Sequence, residues 1–113
     1  MIREYPTLRS ANIARQKEWT RGVSVSLSYK GLEMAGEAGE ACNEIKKLER
    51  ETLGMPGSRS SRERVAEELA DVIICVDLIA LELGIDLHAA VRDKFNATSE
   101  KVGLETRMQY PAP

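Results

Sequence analysis

Apolar positions recur at helical spacing along most of the chain, and short stretches of turn-forming residues interrupt them. "LRSANIARQKEWT" reads as a weakly amphipathic helix over about 8–20, with Pro6 ahead of it and Thr7 as its cap. "GVSVSLSY", 22–29, alternates like a strand but is short and has no matching strand, so it reads as a connector into the second helix. That helix covers about 27–51. "TLGMPGSRSS" follows as a loop rich in Gly, Pro and Ser. Ser60 and Glu63 have capping-box spacing and start a third helix over about 61–83, which Gly84 stops. Asp86 caps a fourth helix over about 87–102, which ends near Gly103, and "ETRMQYPAP" reads as an extended tail. Four helices with short connections predict an all-α, four-helix bundle-like fold.

The third helix is apolar around most of its circumference after Asp71, so it is expected to be buried among neighbours. A small bundle with so apolar a helix needs a second copy to cover it, which predicts a homodimer or larger assembly. The 113 residues are enough for one domain with one core. A net charge of −2, from 16 basic and 18 acidic residues, gives no basic field for nucleic acid. The longest apolar run, "VIICVDLIALELGI", is too short to span a bilayer and carries Asp77 and Glu82. "MIREYPTLRS" has no apolar core, so no signal peptide is expected. Cys42 and Cys75 form no CxxC pair and read as small buried core residues of a reduced, cytoplasmic protein. Asp77, inside the apolar run, must find a partner that the sequence does not name.

The chemistry concentrates in "EMAGEAGEACNEIKK", residues 33–47. At about 100° per residue, Glu33, Glu37, Glu40 and Glu44 share a stripe roughly 60° wide. No lysine is expected inside the stripe to relieve their repulsion. Gly36 and Gly39 each cost about 0.5–1 kcal/mol relative to Ala in a helix interior, and so imply close approach of a backbone or ligand. "EELAD" supplies a second acidic set, with Glu68 and Asp71 three apart on one face. Carboxylates facing each other from two helices are most simply relieved by a hard cation. Mg²⁺ takes oxygen ligands and keeps waters and substrate phosphates in its shell. An acidic stripe is more ordinarily a solvated face; the missing lysines and the two glycines count against that here. A di-iron bundle needs Glu-x-x-His on two helices, and the single histidine, His88, follows Leu87 and reads as a surface residue at a helix start.

"GLEMAGEAGEACNEIKK" followed by "EELADVIICVDLIALELGIDLHAAVRDKFN" resembles the MazG-like family of all-α nucleoside triphosphate pyrophosphohydrolases. The resemblance covers about 27–104 of a single domain, 1–113, leaving 105–113 as tail. It rests on Glu37-x-x-Glu40 and Glu68-x-x-Asp71, with "GEAGE" before and "GIDL" and "KFN" after. The resemblance implies Mg²⁺-dependent hydrolysis of a nucleoside triphosphate, a dNTP first, to monophosphate and pyrophosphate by an oligomer, with Mn²⁺ as a possible substitute. It implies metal ligands at Glu37, Glu40, Glu68 and Asp71, and a phosphate contact at Lys94 and a polar substrate contact at Asn96. Either Glu37 or Glu40 would take the proton of the attacking water.

The residues themselves add further candidates for substrate. Trp19, the one tryptophan, can stack on a base or simply pack, and Lys47 can reach phosphates or serve the helix dipole. Arg59, Arg62 and Arg64 can close over a triphosphate or stay solvated. Glu44 can orient a ligand or a metal water. Two other functions remain open: a phosphoribosyl-ATP pyrophosphohydrolase with the same acids, and a non-catalytic helical module whose acid stripe binds a basic partner.

Overall fold

A computed structural model gives the fold and describes residues 1–109. Four helices follow in order: α1 (Leu8–Thr20), α2 (Leu27–Leu53), α3 (Arg62–Glu82) and α4 (Leu87–Val102), with no strand among the described residues. The fold is thus all-α, and each boundary lies within about two residues of the pattern read from sequence. "GVSVSLSY" divides as expected, with an irregular connector leading into α2. The predicted tail is without helix over 105–109, and its last four residues lie outside those described.

The starts of the helices follow from local polar chemistry. The Thr7 side chain accepts from the Ser10 backbone N–H while Ser10 returns a bond to the Thr7 backbone, a reciprocal cap. Ser26 accepts from the Tyr29 N–H to start α2, and Asp86 from the Ala89 N–H to start α4. At α3 the cap is Ser61, whose hydroxyl accepts from the Arg64 N–H at 3.2 Å, rather than the expected Ser60. The Ser60 hydroxyl donates instead to the Ser61 carbonyl at 3.5 Å. At the other end α2 stops at Gly54, where a φ of 64° suits a residue without Cβ.

Two compact units divide the chain, residues 1–79 and 80–113, and α3 runs through the division. In the first unit, Ala41 of α2 is buried. So are Asn12 of α1 and Asp77 of α3. In the second, Ala80 and Ser99 are buried, and Asn96 of α4 holds the chain that follows the helix. The Asn96 Nδ2 donates to the Met108 carbonyl at 3.0 Å, and the Met108 N–H donates to Asn96 Oδ1 at 2.7 Å.

Three sequence expectations change. Cys42 is exposed and Cys75 half-buried, so neither is a core residue. Cys42 directly follows the buried Ala41, and a helix turns successive residues about 100° apart, which carries it off the packed face. Among the described residues nothing lies within 4 Å of a Cβ placed on Gly36 or Gly39, so these glycines face open space and no described backbone approaches them. The apolar flank of α3 is not covered by its own chain, since Ile73 remains 55% exposed.

Candidate metal centre and adjoining groove

The acidic stripe of α2 and the second turn of α3 meet within the first unit. Glu37, Glu40 and Glu68 each place a carboxylate oxygen within 4.8 Å of the other two. Glu37 and Glu68 are half-buried, and Glu40 is exposed. Among the described residues the Oε2 atoms of Glu37 and Glu68 are buried without a hydrogen-bond partner, as is that of Glu44 on the same stripe. Burial and then the Glu40 and Asp71 charges push the Glu37 carboxyl above its ordinary range. The Glu68 carboxyl is pushed up in the same way, by burial, then Glu40, Asp71 and Glu37. Asp71, the fourth expected ligand, is exposed and stands beside the three rather than within the cluster, but its charge acts on both raised carboxyls.

These residues fit a hard divalent cation. Every donor is a carboxylate oxygen, the type Mg²⁺ prefers, and two buried oxygens lack any other partner. A cation would replace mutual repulsion by attraction at one stroke.

Glu44 is on the same stripe and behaves differently. Its Oε1 accepts from Lys47 Nζ at 3.2 Å. The Ser60 hydroxyl and then Lys47 hold its carboxyl below the ordinary range. The sequence reading left the stripe without a lysine. Three positions on, Lys47 falls back near the Glu44 meridian and relieves that end. The same ion pair occupies Lys47, which had been a candidate for phosphate.

A groove of about 460 Å³ runs from the cluster along α1, a volume suited to a small organic ligand. Glu33, Glu37 and Asp71 stand at its acidic end, with the Cys75 thiol beside them. Burial and the Glu37, Glu33 and Asp71 charges push that thiol up, which keeps it protonated and unreactive. Trp19, Tyr29 and Lys30 line the rest. Trp19 is 79% exposed, and the Arg15 guanidinium lies 6.0 Å from its ring centroid, so its main role is not packing. A larger depression of about 940 Å³ lies along the N-terminal segment and contains none of the cluster's carboxylates.

Lys94 and Asn96 belong to α4 in the second unit. Lys94 is exposed. Asn96 has both ends of its amide engaged with the Met108 backbone, so it serves to hold the tail rather than standing open to a substrate. Arg59 bonds the Met55 carbonyl at 2.8 Å within the loop, and the charge of Arg64 acts on Glu44. His88 is exposed, as expected. Sequence reasoning missed Arg9 and Asn12 as the partners of Asp77, together with Tyr29, Lys30 and Cys75 in the groove; only the unpaired Asp77 signalled that something was there.

The fold is all-α, and its site is a cluster of three carboxylates from α2 and α3. The chain belongs to the MazG-like family, whose model matches residues 39–110. The match takes in Glu40, Glu68 and Asp71; Glu37 and all of α1 precede it. No curated protein and no solved structure gives a significant match to the chain.

Proposed function

We propose that the protein is a Mg²⁺-dependent nucleoside triphosphate pyrophosphohydrolase, acting on dNTPs first, that releases the monophosphate and pyrophosphate. The observation that carries this reading is the pair of buried, unpartnered oxygens of Glu37 and Glu68 in a three-carboxylate cluster at the end of a groove. Membership of the MazG-like family supports it. Glu37, Glu40 and Glu68 would hold the cation, with Asp71 beside them. When bound, the ion neutralises phosphate charge, polarises the α-phosphoryl group and acidifies water.

The chain's own residues do the rest. The acidic end excludes a free triphosphate by repulsion, so substrate enters only with its charge balanced. Trp19 and Tyr29 offer aromatic faces to a base, and Lys30 a positive charge beside them. Water adds to the α-phosphorus, its proton goes to the Glu37 or Glu40 carboxylate, and the bond to the bridging oxygen breaks with pyrophosphate leaving. The exposed Leu69 and Ile73, one turn apart on α3, support assembly into a homodimer or homotetramer, and a cytoplasmic location belongs to the same proposal.

The test is product analysis after incubation with Mg²⁺ and a panel of NTPs, dNTPs and phosphoribosyl-ATP. Monophosphate with pyrophosphate from a dNTP is the expected result. No turnover, or orthophosphate as the product, contradicts the proposal. Turnover of phosphoribosyl-ATP alone would assign the other activity.

A further inference from the structure

α1 forms one wall of the groove, yet it is hardly held by apolar burial. Its only buried residue is an asparagine, Asn12, while Leu8 and Ile13 are exposed. What fixes the helix is polar. Asn12 Nδ2 donates to Asp77 Oδ2 at 3.0 Å and reaches the Ile74 carbonyl at 3.3 Å. Arg9 Nε donates to Asp77 Oδ1 at 3.1 Å, so both oxygens of one α3 carboxylate are used by α1. Asn12 and Asp77 are only 2% and 5% exposed, and a buried carboxylate stripped of such partners is strongly disfavoured. Bonds of this kind have direction, whereas apolar contact does not. They therefore fix the rotation of α1 about its axis as well as its distance from α3.

That rotation matters to the groove. Arg15, Gln16 and Trp19 lie three, four and seven residues after Asn12, so they share its face and line the groove with it. On α3, Ile74 and Asp71 lie three and six residues before Asp77, and both line the opposite side. We infer that the Arg9–Asn12–Asp77 clasp is the positioning device of the groove: it sets α1, and with it Trp19, against the acidic end, and takes no part in holding the cation. The inference rests on the nucleotide reading of the groove for its kinetic consequence, but its structural consequence is independent of that reading.

Asp77→Asn keeps the shape of the side chain and removes its charge; Arg9→Met keeps the stem of the arginine and removes the ion pair from a partly exposed position, should the first variant fold poorly. In either variant KM for the dNTP should rise about tenfold or more while kcat stays within about threefold. Mg²⁺ affinity, measured with the metal alone by calorimetry, should be unchanged. Hydrogen exchange should quicken across residues 8–20 but not in α2 around Glu37 and Glu40. An unchanged KM, a parallel fall in Mg²⁺ affinity, or exchange that quickens evenly through α1 and α2 would overturn the inference. If the wild-type chain turns over no triphosphate, the proposed function fails, and the exchange and calorimetric arms still decide whether the clasp positions α1.

Discussion

Two carboxylates of one glutamate stripe are shifted in opposite directions. Near its C-terminal end Glu44 accepts from Lys47 through Oε1, and the Ser60 hydroxyl and Lys47 hold its carboxyl below the ordinary range although its Oε2 is buried without a partner among the described residues. At the middle Glu37 also keeps a buried oxygen without a partner, but burial and the Glu40 and Asp71 charges push its carboxyl up. The residue type and helix are the same, and the side chains differ by only two turns. What differs is the company each keeps. A lysine and a hydroxyl lower one carboxyl, crowding by other carboxylates raises the other, and only the second is a charge excess that a cation would relieve.

Removing Glu68, which faces the middle of the stripe from α3, and Glu44 on the stripe itself should separate the two roles most sharply. Glu68→Gln is expected to lower dNTP turnover at least about 100-fold, the scale on which metal centres respond even to loss of supporting groups. Glu44→Gln should leave turnover within a few fold. Steady-state kinetics at saturating Mg²⁺ checks both, and equal losses would erase the distinction.

Thermal melts give the next largest effect. Mg²⁺ at about a hundredfold excess over its Kd should raise the wild-type Tm by roughly 10 °C, because the ion binds only the folded cluster. Glu44→Gln should keep that rise and Glu68→Gln should lose it. Without cation, the two substitutions should move stability in opposite directions. Glu44→Gln removes favourable bonds and destabilises, whereas Glu68→Gln removes repulsion and stabilises, as urea titration would read.

The pH dependence of the cation-free protein is the subtlest test. Glu44, with its folded pKa lowered, contributes stability that is present above its unfolded pKa and is lost as pH falls through the lowered value. Glu37 and Glu68, with theirs raised, have the reverse sign: their contribution is full below the unfolded pKa and is lost as pH rises through the raised values. Stability should therefore decline from mildly acidic toward neutral pH, Glu68→Gln should flatten that decline, and Glu44→Gln should flatten the acid limb instead.

Local signals carried most of the fold. Thr7, Asp86, Gly54 and Gly103 each act within a turn of their own position, and the helices begin and end where such residues sit. Ser60 was the expected cap of α3, and Ser61, one residue on, takes that place by accepting from the Arg64 N–H. The acid pairs were legible because helical spacing puts them on faces. Which acids would be relieved was not, since the geometry of Lys47 on Glu44 depends on a rotamer, and Ser60 comes from another segment. The clasp on Asp77 joins residues 65 and 68 positions apart, a separation at which periodicity carries no information. Open space at Gly36 and Gly39 shows the limit of arguing from a residue's cost to its reason.

The central claim is that Glu37, Glu40 and Glu68 form a divalent cation site, and calorimetric titration of Mg²⁺ into the nucleotide-free protein tests it most directly. At mildly acidic pH the wild-type chain should bind Mg²⁺ and release protons, because carboxyls with raised pKa must ionise to ligate, and the heat should therefore vary with the ionisation enthalpy of the buffer. Glu44→Gln should bind alike and Glu68→Gln should not bind. Absence of Mg²⁺ binding to the wild-type protein, or equal binding to Glu68→Gln, would contradict the account.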